Sequence, residues 1–229
     1  MKDYSYIGIT FIILLFGIIF VPKIIDRITN DEIVDDDRHN LNRKKYIRQT
    51  NLKDSLTAIG TVPNFSFTNQ NGETITNQDY KGKVYVVEFF FTTCPSICPI
   101  MNRNMVKIQN EFFGNPNLGI ASFSIDPVYD TPAVLKEYAN NYKITNKNWN
   151  LLTGDKDEIY KLANEGFKLY VGVNTQIEGG FEHSGLFALI DQEGNIRCRK
   201  DENENPIFYY DGLESEGIQM LIEDIKKLL

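Results

Sequence analysis

The distribution of apolar residues divides the chain into three parts. Tyr4 to Val21 runs eighteen positions without a charge, and Ile24 and Ile25 carry the apolar stretch past Pro22 and Lys23. A helix of that length just spans a hydrocarbon core, so residues 1–25 are expected to form one N-terminal transmembrane anchor. From Asp26 to Gly60 the sequence is polar and shows no apolar period, which reads as a tether with one short helix. Residues 61–229 then carry the alternations and runs of a folded domain.

That domain opens with Phe65 to Thr68, Asn71-Gly72 and Thr74 to Thr76, an alternation around a strong hairpin signal. Val84 to Phe91 is a continuous apolar strand, as expected of a sheet covered on both faces. It leads into Thr92-Thr93-Cys94-Pro95-Ser96-Ile97-Cys98-Pro99, where Pro99 suits the first turn of a helix over Ile100 to Phe113 and leaves Cys98 near its N-cap. Further on, the pattern predicts a strand over Leu118 to Ile125, a helix from Thr131-Pro132 to Tyr142, a short strand over Trp149 to Leu152 and a helix over Asp155 to Gly166. A second hairpin joins Leu186–Asp191 to Ile196–Arg199. The chain closes with a helix over Glu214 to Leu229, whose Ile218, Leu221, Ile222, Ile225 and Leu228 recur at helical spacing. An α/β beginning followed by an antiparallel hairpin and a terminal helix defines the expected fold class: α/β, a thioredoxin-like mixed sheet flanked by helices, with an N-terminal β-hairpin.

Charge excludes one class of partner. Residues 61–229 hold 15 Lys and Arg against 23 Asp and Glu, so nucleic acid is not an expected ligand of the domain. Arg38 to Gln49 is basic and reads as solvated linker, with a membrane surface or partner as the alternative. A cleaved signal peptide competes with the anchor, but no small-x-small site follows the apolar run. The flanking cations, Lys2 against Lys23 and Arg27, leave orientation open.

The chemistry is concentrated at Cys94 and Cys98, two thiols separated by three residues where a buried strand meets a helix N-terminus. Unpaired N–H groups and the helix dipole favour a thiolate there, which is both nucleophile and metal ligand. The alternative is a pair of buried apolar cysteines. Of the two histidines, His39 lies in the tether, and His183 sits between Gly179-Gly180 and Gly185, just ahead of the Leu186 strand. In the expected topology that loop folds back beside the cysteines. Two thiolates and an imidazole suit copper ahead of zinc, since structural zinc wants a fourth protein ligand, for which Asp126 or a water would serve. A redox-active pair outside the cytoplasm is consistent with an oxidising compartment. Glu88, an acid inside an apolar strand six positions before Cys94, is a candidate proton acceptor for Cys98, its pKa raised by burial, or else faces a polar edge. Cys198 reads as a spare thiol.

The blocks Phe89–Met101 (FFFTTCPSICPIM), Ser124–Pro132 (SIDPVYDTP) and Glu182–Asp191 (EHSGLFALID) resemble, in order and spacing, the three signatures of the Sco/SenC family. The resemblance covers residues 61 to 229. It implies that Cys94, Cys98 and His183 bind Cu(I) or Cu(II), and that the cysteine pair can also cycle between dithiol and disulfide. It implies one N-terminal anchor helix, the soluble domain on the extracytoplasmic side, and service to a copper-receiving membrane protein such as a cytochrome c oxidase subunit. Asp126 matches the family's aspartate near the site, as auxiliary contact or as scaffold, whereas Asp130-Thr131-Pro132 reads as a helix start with a side-chain cap. Three functions follow: a copper chaperone or metallation factor, a thiol-disulfide reductase that keeps a partner's copper-ligand cysteines reduced, and a general thioredoxin- or peroxiredoxin-like enzyme. Thioredoxin-type reductases carry a cis-proline loop opposite the cysteines, where this chain has Phe181-Glu182-His183-Ser184-Gly185, which favours metal.

Overall fold

The strand leading into the cysteines, β4 (Val84–Phe90), is buried along its whole length, as expected of an apolar run interrupted by a single acid, Glu88. In the computed structural model, the described residues are 56–176 and 179–229, together with Leu14, Phe16, Phe20, Val21 and Pro22, which are helical. The expected anchor (1–25) and tether (26–60), including Arg38–Gln49 and His39, otherwise lie outside the described residues. Among the described residues, no helix is long and apolar enough to cross a membrane.

The first strand, β1 (Thr57–Thr61), starts within the segment read as tether, and Leu56 ahead of it is buried in the core. The Asn71-Gly72 turn joins β2 (Ser66–Asn69) to β3 (Thr74–Thr76), with Gly72 at φ 79 supplying the left-handed conformation the turn needs. After β4 come α1 (Cys98–Glu111), β5 (Leu118–Ser124), α2 (Pro132–Asn141) and β6 (Trp149–Thr153). Then α3 (Lys156–Lys161) passes into a π-helical turn, Leu162–Phe167, closed by Lys168 at φ 55. The helix expected over Asp155 to Gly166 therefore changes its winding half-way. The short strands β7 (Val171–Val173) and β8 (Phe181–His183) form a two-stranded sheet that the sequence pattern did not reveal. They are followed by β9 (Leu186–Ile190), β10 (Asn195–Lys200), β11 (Pro206–Ile207), β12 (Tyr210–Asp211) and α4 (Ser215–Leu228).

The main sheet has the order β1-β10-β9-β4-β5-β6-β2-β3, with β4, β5 and β6 parallel at its centre and antiparallel strands on both sides. Each central parallel pair is linked by a helix, α1 or α2, as a crossover demands. In α1 the buried Cys98, Met101, Met105 and Ile108 follow the helical period, and in α4 so do Ile218, Leu221 and Ile225. The mixed sheet with its helices is the expected thioredoxin-like α/β plan. Its consequence for chemistry is that β4 and β5 end side by side, with Phe90 opposite Ser124, so the loops holding Cys94 and Asp126–Asp130 emerge next to each other.

Candidate metal centre

Cys94, Cys98 and His183 converge: one donor atom from each lies within 4.8 Å of the others, and all three residues are buried. Cys98 opens α1, with Ile97 as N-cap and Pro99 in the first turn, so its sulfur sits at the positive end of the helix. Cys94 lies on the loop between β4 and α1, and His183 arrives from β8. The cysteines and the histidine were both expected here; the strand that carries His183, read as a loop, was not.

The hydrogen bonds assign roles to the ring nitrogens. His183 Nδ1 lies 3.1 Å from the Ser184 carbonyl, which can only accept, so Nδ1 carries the proton. That leaves Nε2 as the lone-pair nitrogen, 3.2 Å from Cys98 Sγ. The two thiols are unlike. Cys94 is held down to about 3 by the hydrogen bond from Cys98, with burial opposing. Cys98 is pushed up by donating that bond and by burial. Thiolate and imidazole thus compete for a single proton on Cys98, and its removal leaves three soft donors facing one point. All three cysteines are unpaired, and Cys198 is fully buried in β10. Burial pushes the Cys198 thiol up to about 11, which fits a spare, unreactive group.

The site opens on a cleft of about 390 Å³ lined by Phe91, Cys94, Pro95, Ile97, Phe181 and His183. Phe91 meets the imidazole edge to face at 5.9 Å and packs on Phe181 at 5.3 Å. Lys156 lies over Phe181 at 5.4 Å and over Tyr160 at 5.2 Å, linking α3 to the strand of His183. The glycine ahead of that strand is required: Gly179 has φ 91, and a Cβ there would come within 3.0 Å of Phe91.

Asp126 is half-buried, its backbone N–H donating to Ser124 Oγ at 3.2 Å, and it is not in the group of three converging donors. Asp130 does more than the sequence suggested. The cap of α2 is Thr131, which accepts from the Val134 N–H. The fully buried Asp130 accepts from the Thr92 N–H at 3.1 Å, from the Thr92 hydroxyl, and from Ser124 Oγ at 2.5 Å. It therefore ties the start of the cysteine loop to the end of β5.

Glu88 is fully buried, accepts from Ser122 Oγ at 2.6 Å through Oε1, and leaves Oε2 without a partner. Ser122 faces it across the parallel pair, and its hydroxyl in turn accepts from Trp149 Nε1 at 3.0 Å. Burial raises the Glu88 carboxyl to about 7, the Ser122 bond opposing. Behind Cys98, the buried Asn102 donates to the Cys98 carbonyl at 3.0 Å and to the Tyr138 hydroxyl at 2.7 Å. Asn102 and Tyr138 were not anticipated; the available signal was an amide four residues beyond Cys98 on the buried face of α1.

A thioredoxin-like sheet that gathers a Cys₂His donor set, two cysteines from the β4–α1 junction and a histidine from β8, defines the class: a thioredoxin-like protein with a candidate metal site. Comparison with known proteins agrees. The SCO1/SenC family profile matches residues 53–216, and the chain belongs to that family. It is 34% identical over 167 residues to the SCO1 protein homolog of Bacillus subtilis, covering 72% of this chain and 81% of the relative. Among solved structures, it is similar to BsSco, described as having a disulfide switch and as a member of the Sco family of cytochrome c oxidase assembly proteins. That match has 33% identity, a TM-score of 0.62, and covers 75% of this chain and 95% of BsSco. It is also similar to yeast Sco1 solved with copper bound, at 26% identity and a TM-score of 0.55, covering 76% of this chain and 91% of that one.

Proposed function

We propose that the protein is a membrane-anchored copper chaperone or metallation factor that takes copper as cargo through Cys94, Cys98 and His183 and passes it by ligand exchange to a partner. The observation that carries this reading is the convergence of two sulfurs and a bare Nε2 within 4.8 Å, a soft donor set suited to copper. A relative solved with copper bound supports the metal, and the description of BsSco as an oxidase assembly protein supports a cytochrome c oxidase subunit as recipient. Residues 1–25 would be the anchor and 26–60 the tether, with the 61–229 domain on the extracytoplasmic side. Glu88 and Asp126 would be auxiliary, Glu88 as the buried acceptor of the Cys98 proton.

The test is copper titration of the reduced full chain beside His183→Ala, with absorption and spin-resonance spectra. Stoichiometric binding with thiolate-to-copper charge transfer, weakened by roughly 100-fold or more in the variant, is expected, since even outer partners of a metal ligand are worth about 10–100-fold. Binding indifferent to His183 would sink the reading.

The depressed Cys94 thiol favours a second role, reduction of a partner's disulfide. Cys94 thiolate attacks one partner sulfur and the other leaves as a thiolate; Cys98 then attacks Cys94 in the mixed disulfide. The partner is released as a dithiol, and the pair, having given two electrons, ends as a Cys94–Cys98 disulfide. A reduced chain that fails to open a disulfide-bonded recipient peptide excludes this role.

A further inference from the structure

We infer that Asn164 is the positioning residue for His183, a side chain that stands in for a missing third strand beside the histidine hairpin. The inference deepens the copper reading above and rests on it only for one of its two tests.

Asn164 belongs to the π-helical turn Leu162–Phe167. Its side chain makes a two-way bond to one residue of β7: Val171 N–H donates to Asn164 Oδ1 at 3.0 Å, and Asn164 Nδ2 donates to the Val171 carbonyl at 3.0 Å. The same Nδ2 donates to the Tyr160 carbonyl at 3.1 Å, in the last turn of α3. Val171 is the residue opposite His183 in the β7–β8 ladder. Because both backbone groups of Val171 are taken by Asn164, Val171 and His183 form the non-hydrogen-bonded kind of pair. In that kind the two side chains approach most closely. Val171 and His183 are 3% and 8% exposed, so the isopropyl group and the imidazole share a buried side of the hairpin.

A two-stranded ribbon is marginal by itself, and this one pairs with no strand of the main sheet. Its attachments include the aromatic contacts of Phe181 and His183, Lys156 over Phe181 and the Cys98–His183 contact on one strand, and the Asn164 clamp on the other. The change from α to π winding in mid-helix accompanies the placement of Asn164, and such local departures recur at functional sites. Removing the amide leaves Val171 without its outer partners and lets the ring drift from the cysteines.

The experiment compares the full chain with Asn164→Ala, each with and without His183→Ala. The first readout is copper retention against a competing chelator. Asn164→Ala is expected to weaken it by about tenfold when His183 is present and to change nothing further when His183 is absent. The second readout needs no copper: in the metal-free protein, exchange of the Val171, Gly172 and Glu182 amides is expected to accelerate about tenfold. The proton contact between the Phe91 and His183 rings should be lost, with β4 and α1 amides unchanged. Asn164→Gln, which keeps the amide, should recover part of both. Equal loss of copper in the two backgrounds, or exchange that accelerates throughout the domain, would mean that Asn164 only supports the fold and would overturn the inference. A wild-type chain that holds no copper would defeat the chaperone reading, and the exchange and ring contact would still decide the place of Asn164.

Discussion

Cys98 Sγ lies 3.2 Å from the bare Nε2 of His183, while its proton is also drawn toward the Cys94 sulfur. The cysteines are therefore differentiated before any metal or partner arrives. Cys94 is expected to react with iodoacetamide at a rate flat between pH 5 and 8, because its thiol, held down to about 3, is ionised throughout. Cys198, buried and pushed up to about 11, stays unlabelled in the native protein. In Cys98→Ala the donor to Cys94 is gone, and labelling of Cys94 should instead rise steeply with pH. Peptide mass spectrometry after timed labelling reads all three; a Cys94 rate that climbs with pH in the wild type contradicts the assignment.

Glu88 gives a stability signature of known sign. Its carboxyl sits at about 7 in the folded chain against 4.5 when free, so the folded state binds the extra proton between those values. The stabilisation is complete below pH 4.5 and is lost as pH rises through 7, amounting to roughly 3 kcal/mol. Urea unfolding of Glu88→Gln at pH 4.5 and pH 8 should show the variant gaining on the wild type by that order at the higher pH. A constant difference would show that Glu88 is ionised in place.

Asp130 holds the cysteine loop through Thr92 and Ser124. Asp130→Ala leaves buried donors without an acceptor and should cost about 3 kcal/mol in urea unfolding. Asp130→Asn keeps an acceptor and should cost about 1 kcal/mol. Equal costs would mean that burial volume, not hydrogen bonding, is what the residue supplies.

Much of this was legible from residue pattern. Continuous apolar runs such as Val84–Phe90 declare a buried strand, and Cys94, Cys98 and His183 announce themselves by type and setting. What stayed hidden was made by tertiary partners. The strand Thr57–Thr61 is too short and mixed to show a period, and exists because β10 pairs with it. The β7–β8 pair spans only three residues a side and owes its order to Asn164 and Phe91. The clamp made by Asp130 joins residues 38 apart, a relation that spacing cannot display.

Cys98 and the histidine that completes the donor set are 85 residues apart, with β5 and β6 of the main sheet between them in sequence. A chain emerging from synthesis therefore presents these two thiols long before it presents the His183 imidazole, which reaches them only when the small hairpin has docked. The three-donor site is in this sense complete only once the hairpin has docked: a molecule with that hairpin undocked offers two sulfurs without the imidazole.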